Sequence, residues 1–300
     1  MDGEALMGAT TGRELRSWAG ELLDVWGIWV SRVSIVIPCF DDGAFLPEAY
    51  ASALGDSYRD VEVILVDDGS TDPLTLRVLI DLERSGARIV RQPHGGVSAA
   101  RNAGIEVATG EYILPLDADD RLGETFVDHA ASLLSARPDI AIVGGDTELF
   151  GDANDRWDFV VPHPVDWLLK NPLPATAMFR RRLWEEVGGY TVGVPWGEDW
   201  LLWVKMLGAG AEVAAIPEIA LYYRRRPGQV TSLLPRTAEV ATRALVLTAG
   251  LEIARRYPEE FGTRLAPRLA LLHLLRARYA RVERLRGRVA RLSRWLRLRR

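Results

Sequence analysis

Short apolar segments alternate with amphipathic segments between residues 32 and 120. Runs of β-branched and aliphatic residues predict four buried strands: Val33–Pro38, Val61–Val66, Ala87–Arg91 and Ile113–Leu116. Apolar residues at helical spacing predict three helices: Leu46–Leu54, Leu74–Arg84 and a segment that begins near Gly96. This alternation is typical of a parallel sheet covered by helices on both faces. The polar loops that follow the strands then meet at one edge of the sheet.

The same alternation continues less regularly in the second half of the chain. The sequence predicts a helix from Leu122 to about Arg137, strands at 140–145, 175–179 and 211–216, and an apolar helix after Trp196. The segment Phe150–Pro174 is rich in Asp, Trp and Pro and has no clean period. It therefore predicts either a loop-rich region over a binding site or a passive surface excursion.

Both ends of the chain predict amphipathic helices. Residues 12–30 place leucines and tryptophans on one helical face, which we expect to pack on the domain or to contact a partner or a membrane surface. Residues 276–300 contain eleven arginines and one acidic residue. Such a helix can bind anionic lipid, dock on the acidic body or stay solvated. Nucleic acid is not an expected partner, because no recognition fold accompanies the arginines.

Composition and length place the chain among ordinary globular proteins, with 300 residues, 48% hydrophobic and 26% charged. The single cysteine, Cys39, excludes an intrachain disulfide and fits a reducing compartment. No apolar run approaches the roughly 18 residues of a membrane span, and the N-terminus lacks signal-peptide features. We therefore expect a cytoplasmic protein, with peripheral membrane contact through the arginine-rich end.

Three aspartates follow the fourth predicted strand within four positions. On an extended chain, residues two apart point the same way, so Asp117 and Asp119 could present their oxygens to one hard cation such as Mg²⁺ or Mn²⁺. The carboxyl ends of strands in an open α/β sheet are also where ligands bind. Aspartates in this position equally form turns and helix caps.

Two further loops carry side chains suited to a nucleotide. Asp68 follows the second predicted strand and can accept hydrogen bonds from a base or a ribose, although its surroundings are also typical of a turn and helix cap. Gly96 supplies flexible backbone before the third helix, and Arg101 and Asn102 supply donors suited to a diphosphate. The glycines form neither a Walker A loop nor a dinucleotide fingerprint, so an ATPase or a dehydrogenase lacks its usual support.

A pair of acids, Glu198 and Asp199, begins the apolar helix of the second half. Acids at a helix N-terminus interact favourably with its dipole, so a helix cap is the structural alternative. A carboxylate within hydrogen-bond reach of a hydroxyl can instead remove its proton and so act as a general base. We predict Asp199 as this general base and Glu198 as a supporting residue or acceptor contact.

Four motifs occur in order along the first half: Val33–Phe40, Val66–Asp72, Gly96–Gly104 and Leu116–Asp120. Together they resemble the family 2 glycosyltransferases of GT-A fold, and the Glu-Asp pair preceded by Gly188-Gly189-Tyr190 is similar to a further motif of that family. The resemblance implies a Rossmann-like, mostly parallel sheet flanked by helices, with a C-terminal helical extension. It also implies a nucleotide-sugar donor and a divalent cation, Mn²⁺ or Mg²⁺.

The resemblance implies roles for individual residues. The expected donor contacts are Pro38, Phe40, Asp68, Gly96, Arg101, Asn102, Asp117 and Arg226, and the expected metal ligands are Asp119 and Asp117. Arg226 departs from the family pattern, because many relatives have a histidine there, two places after the arginine of the Tyr-Arg segment. A guanidinium cannot ligate a cation but can bind phosphates. This substitution weakens the expectation of metal dependence.

The predicted activity is transfer of a sugar, with a UDP-sugar as the first expectation, to a hydroxyl of a glycan, a lipid-linked or a small-molecule acceptor, as in cell-envelope polysaccharide synthesis. Inversion at the sugar carbon is expected from the resemblance and the single base. A sugar-nucleotide nucleotidyltransferase and a non-catalytic carbohydrate-binding or scaffold relative are the alternatives. The predicted parts are an N-terminal helix (1–30), a nucleotide-sugar-binding half (31–120), an acceptor-binding and catalytic half (121–235) and the helical extension (236–300).

Overall fold

The computed structural model describes residues 31–55, 58–226, 236–268 and 270. The predicted N-terminal helix and the arginine-rich segment 276–300 lie outside these residues. In the described part, no helix has both the length and the apolar character needed to cross a bilayer.

Nine strands form a mixed sheet in the described residues. They are β1 Val33–Cys39, β2 Val61–Asp67, β3 Arg88–Arg91, β4 Tyr112–Pro115, β5 Arg121–Leu122, β6 Ile140–Gly151, β7 Arg156–Trp157, β8 Met178–Arg180 and β9 Glu212–Arg225. Their order is β3-β2-β1-β4-β8-β6-β9-β5, with β7 paired to β6. The pairs among β1 to β4 are parallel. β8 runs antiparallel to β4 and β6, whereas β6 and β9 are parallel.

Helices cover this sheet and extend beyond it. They are α1 Leu46–Leu54, α2 Pro73–Arg84, α3 Val97–Val107, α4 Phe126–Ala136, α5 Arg181–Glu186, α6 Glu198–Gly208, α7 Arg236–Ala249, α8 Leu251–Arg256 and α9 Pro258–Glu260. The predicted strands and helices of the first half are therefore confirmed. In the second half, the predicted loop-rich segment contains β7 and a 3₁₀ helix at Pro164–Leu168, and β9 continues past the predicted strand end at residue 216.

The core has a layer on each face of the sheet, as the fully buried β1 strand requires. Ile35 and Ile37 pack into one layer, and Val36 packs into the other. Helix α3 lies close to β1. At Gly104 the approach is so close that an added Cβ atom would be only 2.4 Å from Cγ1 of Val36. Cys39 is buried at 2% exposure, and burial raises the pKa of its thiol to about 12. This packing leaves the loops after the parallel strands at one edge of the sheet.

Candidate active site

The loops after β1 and β2 are joined by the carboxylate of Asp41. It accepts hydrogen bonds from the backbone N–H groups of Asp72 (2.8 Å) and Thr71 (2.7 Å). These hydrogen bonds lower the pKa of Asp41. The residue has a φ of 56°, a backbone conformation that is uncommon outside glycine. The contacts across the two loops therefore stabilise this left-handed backbone conformation at Asp41.

Asp68 is buried beneath the loop that precedes α3. Its carboxylate accepts hydrogen bonds from the backbone N–H groups of Gly95 and Gly96, both at 2.8 Å. It also accepts one from Gln92 Nε2 at 2.6 Å and lies 2.9 Å from Nδ1 of His94. Asp68 therefore shapes the loop that we expected to flank the nucleotide, and protein donors already surround its oxygens.

An aromatic pair lies at the end of β1, beside this loop. The side chain of Phe40 is 41% exposed, and its ring stacks on His94 with a centroid separation of 4.0 Å. Pro38, by contrast, is buried within β1. Of these two expected donor contacts, Phe40 offers a flat, accessible ring, whereas Pro38 is buried in the strand.

The aspartates after β4 have different surroundings. Asp117 is 37% exposed and pairs with Arg101 at 2.6 Å. Asp119 is 17% exposed and pairs with Arg226 at 3.0 Å. Asp120 is buried and accepts a 2.7 Å hydrogen bond from the backbone N–H of Arg224. Burial, reinforced by the other two aspartates, raises the pKa of Asp120 to about 9. Asp120 thus anchors the end of β9, while Asp117 and Asp119 face the site.

Arg226 lies between two acids from different loops. Its Nη2 donates to Oδ1 of Asp42 at 2.7 Å and to Oδ2 of Asp119 at 3.0 Å. Its Nε donates to the same Asp119 oxygen at 3.2 Å. Burial and the nearby Asp119 raise the pKa of Asp42, and Arg226 opposes that shift. The guanidinium therefore neutralises two carboxylates that would otherwise repel each other.

Arg101 links the first half of the site to the second. This side chain on α3 is 1% exposed and donates 2.6 Å hydrogen bonds to Asp117 and to Glu198. Its guanidinium lies 5.4 Å from the ring centroid of Tyr190. Burial alone would lower the pKa of Arg101, but the two carboxylates hold it well above its ordinary value. We expected Arg101 to flank the nucleotide, and the structure places it between two acids of the site.

Asn102, the next residue of α3, holds the turn before α6. It donates to the backbone carbonyl of Tyr190 and accepts from the backbone N–H of the same residue, both at 2.9 Å. Gly189 adopts a φ of 66° in this turn, and Lys205 donates to its carbonyl oxygen at 2.6 Å. The Asn102 side chain therefore contacts the second half of the site and does not point into the space beside the loop before α3.

Asp199 lies in the first turn of α6, after Gly197 in a left-handed conformation with φ 68°. One carboxylate oxygen accepts from the backbone N–H of Trp200 at 2.7 Å, and the other accepts from Asn171 Nδ2 at 2.9 Å. Burial, reinforced by the carboxylate of Glu198, raises the pKa of Asp199 to about 7. A carboxylate with this pKa can accept a proton near neutral pH.

The carboxylates expected to bind a metal are both paired with arginines. Oxygen ligands of this kind suit Mn²⁺ or Mg²⁺, so the donor atoms of Asp117 and Asp119 fit a divalent cation. The two side chains, however, contact different guanidiniums, those of Arg101 and Arg226. Among the described residues, no group of three His, Cys, Asp or Glu side chains is arranged to hold a metal. A cation at Asp119 would share that carboxylate with Arg226, whose hydrogen bonds end on its Oδ2 atom.

Two contributors to the site were not predicted from the sequence. Asn171 belongs to the aperiodic segment 150–174, where no periodicity indicates which side chains face the site. Asp42 lies between the predicted strand Val33–Pro38 and the predicted helix Leu46–Leu54, and its contact with Arg226 joins residues 184 positions apart. Neither residue has a local signal that distinguishes it from a surface polar group.

One protein family matches just over half of the chain. Residues 34–188 match the family described as Glycosyl transferase family 2. Glycosyltransferase GlyG of Streptococcus pneumoniae is 37% identical over 98 residues, which cover 32% of this chain and 33% of GlyG. The chain spans about a quarter to a third of the length of such curated relatives.

Solved structures are similar over most of the described fold. TarS of S. aureus, in complex with UDP-GlcNAc, has a TM-score of 0.57 and 17% identity, over 78% of this chain and 76% of the TarS chain. The mannosyltransferase PcManGT from Pyrobaculum calidifontis, in complex with GDP-Man and Mn²⁺, has a TM-score of 0.51 and 17% identity, over 87% and 88% of the two chains. These similarities confirm the predicted GT-A type fold.

Proposed function

The chain belongs to glycosyl transferase family 2, and we propose that it transfers a sugar from a nucleoside-diphosphate donor to a hydroxyl acceptor. The two similar structures contain UDP-GlcNAc and GDP-Man, which are donors of this class. A UDP-sugar is the first donor to test. The acceptor is a hydroxyl of a glycan, a lipid-linked compound or a small molecule.

The observation that carries this proposal is the pair of hydrogen bonds made by Arg101. One guanidinium contacts Asp117, which follows the nucleotide-binding strands, and Glu198, which precedes Asp199. The loop predicted to hold the donor and the helix predicted to carry the base are therefore within reach of one side chain. A donor and an acceptor bound on the two sides of this bridge would meet next to Asp199.

In the proposed reaction, Asp199 accepts the proton of the acceptor hydroxyl. The acceptor oxygen forms a bond to the anomeric carbon while the bond from that carbon to the diphosphate oxygen breaks. The leaving nucleoside diphosphate takes the electron pair and its negative charge. A single displacement of this kind inverts the configuration of the anomeric carbon. Asn171 and the backbone N–H of Trp200 orient the two oxygens of Asp199.

Charge on the leaving diphosphate requires a cationic group nearby. A divalent cation held by Asp119 would supply Lewis-acid stabilisation when bound. Arg226 is the cationic side chain that contacts Asp119.

The proposed function is tested first by donor binding and product identity. A panel of UDP-, GDP-, ADP- and dTDP-sugars is screened for thermal stabilisation, with and without Mn²⁺, and stabilising donors are then incubated with acceptor panels. We expect release of a nucleoside diphosphate and a product whose anomeric configuration, measured by NMR, is inverted. Release of pyrophosphate would indicate a nucleotidyltransferase, and sugar-nucleotide binding without turnover would favour a non-catalytic relative. Retained configuration would contradict the single displacement.

The arginine-rich segment 276–300 is the proposed contact with an anionic membrane surface. Its sequence supports this role, since its arginines are interspersed with leucines and valines. Sedimentation with vesicles that contain phosphatidylglycerol, compared between the full chain and a chain ending at residue 275, tests the contact. Equal sedimentation of the two proteins would contradict it.

A further inference from the structure

The guanidinium of Arg226 contacts Asp119, a carboxylate that the family resemblance implies as a metal ligand. It is 3.0 Å from the carboxylate of Asp119 and 2.7 Å from that of Asp42. The side chain of Arg226 is 31% exposed and that of Asp42 is 31% exposed, so solvent and small ions can reach the group. Arg226 also lies 4.8 Å from the ring centroid of Phe45. The acids of this site are therefore accessible, and a cationic group of the chain itself contacts both.

The backbone before Arg226 is held by the aspartate segment. The N–H of Arg224 donates to Asp120 at 2.7 Å, and Nε of Arg224 donates to the carbonyl oxygen of Asp119 at 2.7 Å. Arg224 also contacts Glu48 on α1. These contacts fix the end of β9 against the loop after β4. This anchoring brings the end of β9, and with it Arg226, next to Asp119.

The two acids share one cationic partner. Asp42 and Asp119 come from different loops, and Nη2 of Arg226 donates a hydrogen bond to each of them. The guanidinium of Arg226 provides positive charge and directed hydrogen bonds, but it cannot act as a metal ligand. A divalent cation would satisfy the same acids through direct oxygen coordination. Because both cations use the same carboxylates, one excludes the other.

We infer that Arg226 is an intrinsic counter-ion that competes with a divalent metal ion for the Asp42–Asp119 pair. The protein therefore has a low affinity for free Mn²⁺, and removing the guanidinium creates a tighter metal site. A histidine at position 226 creates a tighter one still, since a neutral imidazole adds a ligand to the two carboxylates. Asp42 becomes a metal ligand in these variants, alongside the predicted ligand Asp119.

The inference is tested by titrating the full chain with Mn²⁺ alone and measuring free Mn²⁺ by electron paramagnetic resonance. We expect Arg226→Ala to lower the Kd for Mn²⁺ about tenfold relative to the unchanged protein, because a charge-assisted pair no longer competes. Arg226→His should lower it further. The matched control is Arg225→Ala, which removes the same charge from the adjacent residue, whose guanidinium lies 5.9 Å from the Tyr223 ring centroid. It should leave the Kd unchanged.

Two double variants identify the ligands. Arg226→Ala combined with Asp119→Asn, or with Asp42→Asn, should lose the gain in Mn²⁺ affinity, and circular dichroism checks that each variant is folded. Equal Mn²⁺ affinity in the unchanged and Arg226→Ala proteins, or weaker binding in the variant, would overturn the inference. A gain that persists in both double variants would also overturn it. Because the probe is the metal alone, these results do not depend on the proposed sugar transfer, whose failure would appear only in the donor and product assays.

Discussion

Arg101 donates a 2.6 Å hydrogen bond from Nη1 to Glu198, a residue 97 positions later in the chain. The same buried guanidinium donates a 2.6 Å hydrogen bond to Asp117. A buried ion group is stable only while its members are all present, because removing one leaves an unpaired charge away from water. Arg101 therefore couples the packing of the two halves of the site.

Replacing Arg101 tests this coupling. Arg101→Ala should lower the free energy of unfolding by about 3–5 kcal/mol, measured by urea denaturation, since Asp117 and Glu198 lose their shared partner. Arg101→Lys keeps the charge but not the planar fork and should recover part of the loss. Arg91→Ala removes an exposed pair with Glu83 and serves as the control. A similar loss in Arg91→Ala and Arg101→Ala would argue against a special role for the bridge.

Asp199→Asn should lower kcat by about 10²–10⁴-fold, because an amide cannot accept the acceptor proton. Donor binding, measured by calorimetry with a non-reacting nucleoside diphosphate, should change little. Asp81→Asn changes an exposed acid on α2 in the same way and should leave kcat unchanged. A variant Asp199→Asn that keeps most of its kcat would exclude this residue as the base.

The pH dependence of the reaction reports the protonation of Asp199. With a pKa of about 7, the carboxylate is mostly protonated below that pH, so kcat/KM should rise with pH and level off above it. Asn171→Ala removes a hydrogen bond that favours the ionised form, so the rising limb should move to higher pH. Asn154→Ala, a change at an exposed position of the same segment, should leave the profile in place. An unmoved profile in Asn171→Ala would show that this hydrogen bond does not tune the base.

The same raised pKa has a consequence for stability. The folded protein keeps a proton on Asp199 up to about pH 7, whereas the unfolded chain loses it near the ordinary value of 3.8. Since the folded state binds more protons between these values, the contribution of this group to stability falls as pH rises from about 4 to about 7. Unfolding curves of the unchanged and Asp199→Asn proteins across this range should diverge accordingly. Parallel curves would contradict the raised pKa.

Asp68 should control donor affinity through the loop before α3. Asp68→Ala leaves the N–H groups of Gly95 and Gly96 without their carboxylate acceptor, which should lower the free energy of unfolding by about 1–3 kcal/mol in total and raise the KM for the donor. Asp72→Ala removes the side-chain cap of α2 instead and serves as a control that lowers stability without changing KM. If both variants change KM equally, the change in KM results from general destabilisation and not from the altered loop.

Local patterns were sufficient for the elements of the first half. The strand Val33–Cys39 and the helix Pro73–Arg84 follow from hydrophobic runs and helical spacing, which depend only on neighbouring residues. The second half was predicted less completely, because β8 enters the sheet antiparallel between β4 and β6. Strand direction and neighbours in such a sheet depend on long-range pairing, which periodicity does not report.

The sequence by itself determined the class of fold, the family and which acids stand at the ends of strands and helices, since these features follow from short motifs and periodicity. Only the tertiary structure decided the partners of those acids. The contact of Arg226 with Asp119 joins residues that are 107 positions apart, and the contact of Asn171 with Asp199 joins residues that are 28 positions apart. Such contacts depend on how the packed elements bring distant side chains together, and no local pattern in the chain specifies them.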